Sequence, residues 1–318
     1  MIVFPTSLQQ AAGETGVVRA GGTDLHERRR LRLADGPVVD LRDVAEAREI
    51  AVRAGGEADI GALVKIAALA ADPRIVAGYP ALAEAAGGLA TPQIRAIATV
   101  AGNLLQRNRC WYYRAPEANC LKKGGDRCAA RAGDHLYHAC FDLGPCVSVH
   151  PSTLATALLA YDASVEIVGG AGRTVAALLG DGHDSTRDHA LEAGALVSAI
   201  VVPAPRANER SAYVRTISRA RAEWPLVEAV ARLGVEKDAI TWAAVSVGGV
   251  APVPLRLATV EKALVGQPAR DETFPDIAAL ARERTEPLPM TGYKVDLLEA
   301  TVLEVLERAL ARTAGGAT

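Results

Sequence analysis

The five cysteines of this chain constrain its fold more than any other feature, because all of them lie within 37 of its 318 residues. They are Cys110, Cys120, Cys128, Cys140 and Cys146. An odd number of thiols, in a chain whose first residues lack the pattern of a secretion signal, argues against a disulfide framework. The spacing also lacks the C-x₂₋₄-C pairs of structural zinc sites and the C-x-x-C of thioredoxin-like motifs. We therefore interpret this segment as one that binds a metal or an iron–sulfur cluster.

Residues 105–150, which contain the cysteines, differ in composition from the rest of the chain. No apolar period is visible in them, and the stretch from 106 to 131 holds seven Lys or Arg but two acidic residues. A [4Fe–4S] cluster needs four thiolates but no short spacing, so a four-cysteine cluster fits. Six of the cations would offset the negative charge of thiolates and cluster: Arg107, Arg109, Arg114, Lys122, Lys123 and Arg127. A basic surface loop with free thiols is the alternative, although five exposed thiols together would be prone to oxidation.

The beginning of the chain predicts alternating strands and helices. In residues 1–55, a strand at 17–20 leads through a tight glycine turn into a short basic helix at 26–33, and a further strand follows at 37–41. A strand, turn, helix and strand at this spacing form an α/β unit.

Residues 56–205 continue in the same style around the insertion at 105–150. We expect a break at 91–95 and a strand or turn at 99–104. Ser152 is a good N-cap for a helix over 153–161.

Residues 206–318 predict a separate α+β domain after the boundary Pro203-Ala204-Pro205. Strands at 212–217 and 240–247 are expected to flank a helix near 225–234. A final helix over 296–312 places its apolar residues on one face.

Two glycine-containing turns carry the chemistry of phosphate binding. The first, Ala20-Gly21-Gly22-Thr23-Asp24-Leu25, follows a strand and opens a helix, so successive N–H groups can point at a phosphate. The second, Thr99-Val100-Ala101-Gly102-Asn103, has the same small residues and donors. One such turn alone would be an ordinary connection, whereas two could hold both phosphates of one dinucleotide. The Rossmann G-x-G-x-x-G pattern and the Walker A loop are absent, so the dinucleotide is held by a different fold.

Three stretches give the chain a specific resemblance. GGTDL at 21–25, ATPQIRAIATVAGNLLQ at 90–106 and VSVGGVAPVPLR at 245–256 resemble the FAD-binding subunits of the xanthine dehydrogenase and carbon monoxide dehydrogenase family. The resemblance covers most of the chain. It implies an α/β (α+β overall) fold, with a PCMH-type FAD-binding domain in two subdomains, residues 1–55 and 56–205. A C-terminal α+β domain of the CO dehydrogenase flavoprotein type would follow at 206–318.

The same resemblance implies the residues that contact FAD. Both turns would hold its pyrophosphate, through Ala20, Gly21, Gly22, Thr23, Asp24 and Leu25 in the first and through Thr99, Gly102 and Asn103 in the second. The chain departs from the family where His-Pro-Ser-Asp is replaced by HPST at 150–153. Ser152 and Thr153 would contact the flavin nucleotide there, with Thr153 offering a hydroxyl instead of a charge.

The cysteine segment resembles that of a subgroup with a [4Fe–4S] insertion, which includes 4-hydroxybenzoyl-CoA reductase and certain bacterial aldehyde oxidoreductases. CWYYR, NCLKKGG and the last cysteine before HPS are similar to the aldehyde oxidoreductase pattern. This similarity implies the ligands Cys110, Cys120, Cys128 and Cys146, while Cys140 would be a small buried hydrophobe. The choice between Cys140 and Cys146 stays open. His138 and His150 are expected to be hydrogen-bonded structural histidines, and Trp111, Tyr112 and Tyr113 either cover the cluster or anchor the loop.

The chain shows no catalytic triad, no paired carboxylates for acid–base work and no molybdenum-cofactor motif. The resemblance implies an oxidoreductase subunit without catalytic side chains of its own, in which FAD and the cluster carry electrons. Its partners would be a large molybdenum-cofactor subunit and a small [2Fe–2S] subunit, in a heterotrimer or a dimer of heterotrimers, together with an external electron acceptor. The alternatives are a 4-hydroxybenzoyl-CoA reductase-like flavin subunit, a non-catalytic metal-binding assembly protein and a standalone flavin oxidase.

Charge and hydropathy bound the remaining partners. The net charge of −2 does not indicate binding to nucleic acid, and no apolar run has the length of a membrane span. We expect a cytoplasmic protein, or a periplasmic one if a partner subunit carries it across the membrane.

Overall fold

The computed structural model describes residues 1–312, and it arranges the strands of this part of the chain in three sheets. The strands are β1 (Ile2–Val3), β2 (Val17–Arg19), β3 (Val38–Asp40), β4 (Ile50–Val52), β5 (Ala58–Gly61), β6 (Ser164–Ile167), β7 (Arg173–Thr174), β8 (Val197–Val202), β9 (Glu209–Thr216), β10 (Val227–Glu236), β11 (Ala239–Gly248) and β12 (Leu255–Arg256).

The helices are mostly short and connect or cover these sheets. They are α1 (Leu8–Ala12), α2 (Leu25–Arg30), α3 (Ile66–Ala71), α4 (Pro73–Gly78), α5 (Pro80–Gly88), α6 (Pro92–Ile97), α7 (Val100–Leu104), α8 (Trp111–Arg114), α9 (Thr153–Ala160), α10 (Val175–Leu179), α11 (Ala258–Leu264), α12 (Phe274–Ala279) and α13 (Tyr293–Ala311). None of the helices within residues 1–312 is long and apolar enough to cross a bilayer.

The first sheet is small and parallel, with strand order β1-β3-β2. All three residues of the central strand β3 are buried, because this strand is covered from both sides. The turn after β2 leads directly into α2 and is thereby held at one end of the sheet. The α/β unit expected for the beginning of the chain is present.

The second sheet is antiparallel, with strand order β4-β5-β8-β6-β7. The helix α9 forms part of its core, and all eight of its residues are buried. A helix that is apolar on every side is one that neighbours surround completely. Here α5 and α7 contact it on one side and the C-terminal sheet contacts it on the other. As predicted, Ser152 caps α9, with its Oγ accepting a hydrogen bond from the N–H of Ala155 at 3.0 Å.

Two expectations for residues 91–104 are wrong. The expected break at 91–95 is the start of α6, where Thr91 is the N-cap and Pro92 occupies the first turn, an arrangement typical of helix N-termini. The expected strand or turn at 99–104 is the helix α7, which Thr99 caps.

The third sheet is antiparallel, with strand order β12-β11-β10-β9. The helix expected near 225–234 is the central strand β10 of this sheet. Because α13 and α9 contact this strand, its first eight residues are all buried. The alternation that would have marked it as a strand is therefore missing. The predicted final helix is α13, which buries one apolar face.

The cysteine segment at 105–150 has little regular structure and is anchored by its main chain. The N–H groups of Cys140 and Phe141 both donate to the carbonyl oxygen of Val250, and the N–H of His150 donates to that of Ala251. These bonds tie the segment to the turn after β11. The segment therefore packs against this end of the C-terminal sheet.

Candidate cofactor site

The two glycine turns lie against each other. A Cβ atom on Gly21 would be 2.5 Å from the carbonyl oxygen of Ile97 and 3.0 Å from the Cα of Ala98. Any residue with a Cβ atom would clash with this backbone, so the position requires glycine. Gly22 has a φ of +75°, which glycine adopts without strain. The first turn thus packs on the residues that lead into the second, as a shared phosphate site requires.

A cavity of about 420 Å³ opens between the two turns. We call it the basic cavity; its lining is Arg19, Ala20, Gly21, Leu41, Arg42, Arg48, Leu63, Lys65, Ile97 and Thr99. Of its four cations, Arg19 and Arg42 share the buried carboxylate of Asp40. Burial, and then Arg48 and Arg19, lower the pKa of Lys65. The cations outnumber that carboxylate, so the cavity is suited to an anionic ligand.

The remaining residues of the first turn face away from this cavity. The carboxylate of Asp24 accepts a hydrogen bond from Nη2 of Arg114 at 2.7 Å and lies 3.3 Å from Nη2 of Arg109. Asp24 therefore joins the glycine turn to the cysteine segment. Leu25 is buried in a small apolar cluster, while Thr23 is half-buried.

The second turn meets the loop before α9. Thr99 Oγ1 accepts a hydrogen bond from the N–H of Gly102 at 3.2 Å. Ser152 Oγ donates to Oδ1 of Asn103 at 2.7 Å, although the two residues are far apart in sequence. The structure thus brings together Thr99, Gly102, Asn103 and Ser152, but it directs Thr153 elsewhere. The hydroxyl of Thr153 donates to Oε2 of Glu228 at 2.8 Å.

A second cavity, of about 320 Å³, lies between the cysteine segment and the C-terminal sheet. We call it the aromatic cavity, because Trp111, Tyr137 and Trp224 are part of its wall, together with His138, Glu228 and Lys294. A mostly apolar cavity with a few polar groups is typical of ligand sites. Its wall comes from separate stretches between 109 and 294. No spacing in the sequence connects these stretches, and the predictions missed the cavity for that reason.

Glu228 is fully buried in the wall of the aromatic cavity. Three hydroxyl groups donate to its carboxylate, from Thr153 at 2.8 Å, Thr156 at 3.0 Å and Tyr213 at 2.7 Å. Burial raises the pKa of Glu228, although these hydrogen bonds oppose the shift. A Cβ on Gly248 would lie 2.6 Å from Oε1 of Glu228, so this glycine leaves room for the carboxylate.

Four of the five cysteines converge. Cys120 and Cys128 face each other in an isolated antiparallel bridge, and the thiols of Cys128 and Cys146 interact directly. Cys110 is near enough to this group that, after burial, Cys146 and Cys120 also raise its pKa. Cys140 lies apart from them, because it is completely buried in the apolar core of the C-terminal sheet, as a small hydrophobe would be.

The thiols differ in how readily they ionise. The hydrogen bond between Cys128 and Cys146 lowers the pKa of Cys128 and raises that of Cys146, since the pair loses its first proton easily and its second with difficulty. Burial raises the pKa of Cys110 to about 11. The Sγ of Cys110 lies 3.2 Å from Nε2 of His138, and burial lowers the pKa of that histidine to about 4. Across residues 1–312, no three His, Cys, Asp or Glu side chains form a group that could hold one metal ion.

Most of the basic residues of the segment pair with carboxylates of other elements. Arg109 and Arg114 contact Asp24 and Glu27, while Arg107 and Lys122 contact Asp188. These pairs brace the segment against its neighbours, a role that the sequence did not predict, and the offsetting of a cluster's charge stays a prediction. Lys122 does lower the pKa of Cys146, so part of its charge reaches the thiols.

The aromatic residues of the segment have separate places. Trp111 packs edge-on against His138, with 5.2 Å between ring centroids, and against Tyr137 at 6.0 Å. The hydroxyl of Tyr112 accepts a hydrogen bond from the main chain of the same segment. Tyr113 is buried. Trp111 therefore forms cavity wall, whereas Tyr112 and Tyr113 anchor the loop.

Two sequence profiles account for nearly the whole chain. Residues 5–205 match the FAD-binding domain in molybdopterin dehydrogenase, and residues 212–309 match the CO dehydrogenase flavoprotein C-terminal domain. The chain belongs to the FAD-binding subunits of the xanthine dehydrogenase and CO dehydrogenase family. The expected fold class is confirmed, and so is membership among the molybdenum-dependent oxidoreductases.

Individual relatives match over more than nine tenths of their length. The chain is 31% identical over 301 residues to the aldehyde oxidoreductase FAD-binding subunit PaoB of Escherichia coli, which covers 92% of this chain and 91% of the relative. It is 24% identical to the nicotinate dehydrogenase FAD-subunit of Eubacterium barkeri, over 98% of this chain and 96% of that one. A chain of the carbon monoxide dehydrogenase from Hydrogenophaga pseudoflava has the same fold, with a TM-score of 0.77, 21% identity and 98% of both chains covered.

Proposed function

We propose that this subunit holds one FAD across the two cavities, with the phosphates in the basic cavity and the flavin ring in the aromatic cavity. The observation that carries the proposal is the approach of Gly21 to Ile97, which brings two donor-rich turns and four cations to one place. The backbone N–H groups of Ala20–Leu25 and of Thr99 would bind the phosphates. Gly102 and Asn103 would shape the second turn around them, since their own N–H groups donate to Thr99. Ser152 would support Asn103 and would itself contact the nucleotide. Thr153 would act through Glu228, to which its hydroxyl donates.

The bound FAD would supply the redox chemistry, and the protein would supply position and electrostatics. Within a complex, electrons from substrate oxidation at a molybdenum subunit would reach this chain through a [2Fe–2S] subunit and leave it for an external acceptor. The match to the aldehyde oxidoreductase subunit over 92% of the chain favours aldehydes as the substrate class, with heterocycles second.

We propose further that Cys110, Cys120, Cys128 and Cys146 hold a [4Fe–4S] cluster. Their convergence, with Cys140 set apart, supports this set of ligands. In such a cluster each thiolate binds a different iron atom. Four converging cysteines can therefore serve as ligands even where no three side chains could hold a single ion.

Two residues connect the cysteines with the aromatic cavity. Cys110 and His138 both lie in the cavity wall and are 3.2 Å apart. A cluster held by Cys110 would thus share a wall with the flavin ring, which favours an electron relay over a purely structural role. Serine in place of the ligand cysteines in the whole complex tests the relay. Normal flavin reduction with lost reduction of the acceptor supports it, and unchanged turnover without the cluster refutes it.

The test of the FAD site uses a clash that the structure defines. Gly21→Ala places a Cβ against the backbone at Ile97 and pushes the two turns apart, so the purified chain should lose most of its FAD. Gly55→Ala is the matched control, because a Cβ there meets nothing within 4 Å. Absorption spectra with flavin, iron and sulfide assays on anaerobically purified protein give the measurement. If the purified wild-type protein contains metal but no flavin, the proposal is wrong and a metal-binding assembly protein is the better interpretation.

A further inference from the structure

Lys294 is a buried cation that has no carboxylate partner among residues 1–312. It lies in the first turn of α13 and is 1% exposed. Its Nζ donates to two backbone carbonyl oxygens, those of Gly249 at 2.7 Å and Tyr137 at 3.2 Å. Burial lowers the pKa of Lys294, and the nearby thiol of Cys140 opposes that shift. A buried lysine is ordinarily paired with an anion.

Lys294 also lies in the wall of the aromatic cavity. The two carbonyl groups use two of the three N–H bonds of the ammonium group, which leaves one donor and the whole positive charge for a ligand. Burial lowers the pKa of Lys294 to about 8, so the side chain still carries its charge at neutral pH. The buried carboxylate of this wall, that of Glu228, is already occupied by three hydroxyl donors.

We propose that Lys294 is the positive charge that stabilises the reduced, anionic flavin ring in the aromatic cavity and thereby sets its redox potential. The proposal rests on the proposed function, since it needs the ring in that cavity. The oxidised ring is neutral, whereas two electrons and one proton leave it with a negative charge. A fixed cation in a cavity of low dielectric constant favours the charged form more than the neutral one.

A structural role is the competing explanation. Through Gly249 and Tyr137, the ammonium group holds α13 against the turn after β11 and against the cysteine segment. A residue with this role alone would affect the stability of the protein but not the electronic properties of the flavin.

The test compares Lys294→Gln, which keeps two N–H donors but removes the charge, with Lys294→Arg, which keeps the charge. Lys262→Gln, at an exposed lysine of α11, is the control for loss of a charge elsewhere. Each full-length chain with its bound FAD is titrated with sulfite, which adds to oxidised flavin and leaves the ring anionic. The midpoint potential of the flavin is measured in parallel by spectroelectrochemistry, and the melting temperature is recorded.

We expect Lys294→Gln to bind sulfite at least about tenfold more weakly than wild type, because one nearby charge is lost. The same tenfold change lowers the two-electron potential by about 30 mV. Lys294→Arg and Lys262→Gln should stay close to wild type. A Gln variant that keeps FAD, melts at a lower temperature and shows unchanged sulfite affinity and potential would refute this proposal alone. Wild-type chain without FAD would refute the proposed function and this inference together. If Lys294→Gln loses its FAD, the Lys294→Arg variant provides the test. An Arg variant that retains FAD but binds sulfite at least about tenfold more weakly than wild type would overturn the proposal.

Discussion

Asp188 provides the sharpest test of how the cysteine segment is held in place. Its side chain is 5% exposed, and it pairs with Nε of Arg107 at 2.8 Å and with Nζ of Lys122 at 3.0 Å. The side chain of Lys122 is 3% exposed. Asp188→Asn would therefore leave a buried lysine without its counter-ion, and breaking a buried pair in this way costs about 3–5 kcal/mol. For a chain of 318 residues, such a loss lowers the melting temperature by about 6 °C.

The assay is thermal and urea unfolding of wild type and variants at neutral pH. Asp184→Asn in the same loop is the matched control, because its pair with Arg187 at 3.9 Å is exposed on both sides and worth about 0–1 kcal/mol. The double variant Asp188→Asn/Lys122→Met should regain part of the loss, since the unpaired charge is gone. Equal stability of the Asp188→Asn and Asp184→Asn proteins would refute the reasoning.

The pH dependence of the same variant gives an independent check. Burial opposes ionisation of Asp188, but Lys122 and Arg107 outweigh it and hold the pKa of Asp188 below its ordinary value of 3.8. A lowered folded-state pKa means that the stabilisation is present above pH 3.8 and is lost as the pH falls through the folded-state value. The difference in unfolding free energy between wild type and Asp188→Asn should therefore shrink in strong acid. If the difference in unfolding free energy stays constant into strong acid, the pKa of Asp188 is not lowered by its partners.

Three further changes are expected to have separable effects. Cys128→Ser should remove most of the iron from the anaerobically purified chain, while Cys140→Ser should leave it in place; equal iron in both would refute the ligand set. Lys65→Met should weaken FAD binding about tenfold or more in a fluorescence titration, because a charge-assisted contact to phosphate is worth about 1.5–3 kcal/mol, and Lys262→Met should not. Burial raises the pKa of Glu228 above its ordinary value of 4.5, so the stabilisation from its protonated form is lost as the pH rises from 4.5 through the folded-state value. The free energy of unfolding of Glu228→Gln, measured in urea, should therefore rise relative to that of wild type as the pH rises above 4.5. Parallel curves of stability against pH would contradict this.

Local sequence determined the parts of this protein that depend on neighbouring residues. The glycines of the first turn, the N-cap at Ser152 and the amphipathic pattern of α13 each use chemistry within a few positions. The density of cysteines and the three family-like stretches needed no coordinates either. These features were enough to predict the fold class and the FAD-binding family.

The tertiary structure decided what depends on residues far apart in the chain. β10 is a strand because it pairs with β9 and β11, whereas the helices that cover it bury both of its faces. This burial removes the alternation that local pattern analysis needs. Thr153 donates to Glu228, and Asp24 engages Arg114, although about 75 to 90 positions separate the partners. The aromatic cavity, with the buried Lys294 in its wall, exists only once the cysteine segment lies against the C-terminal sheet. Burial and pairing depend on which residues are neighbours in space, and a single sequence does not show which distant residues become neighbours.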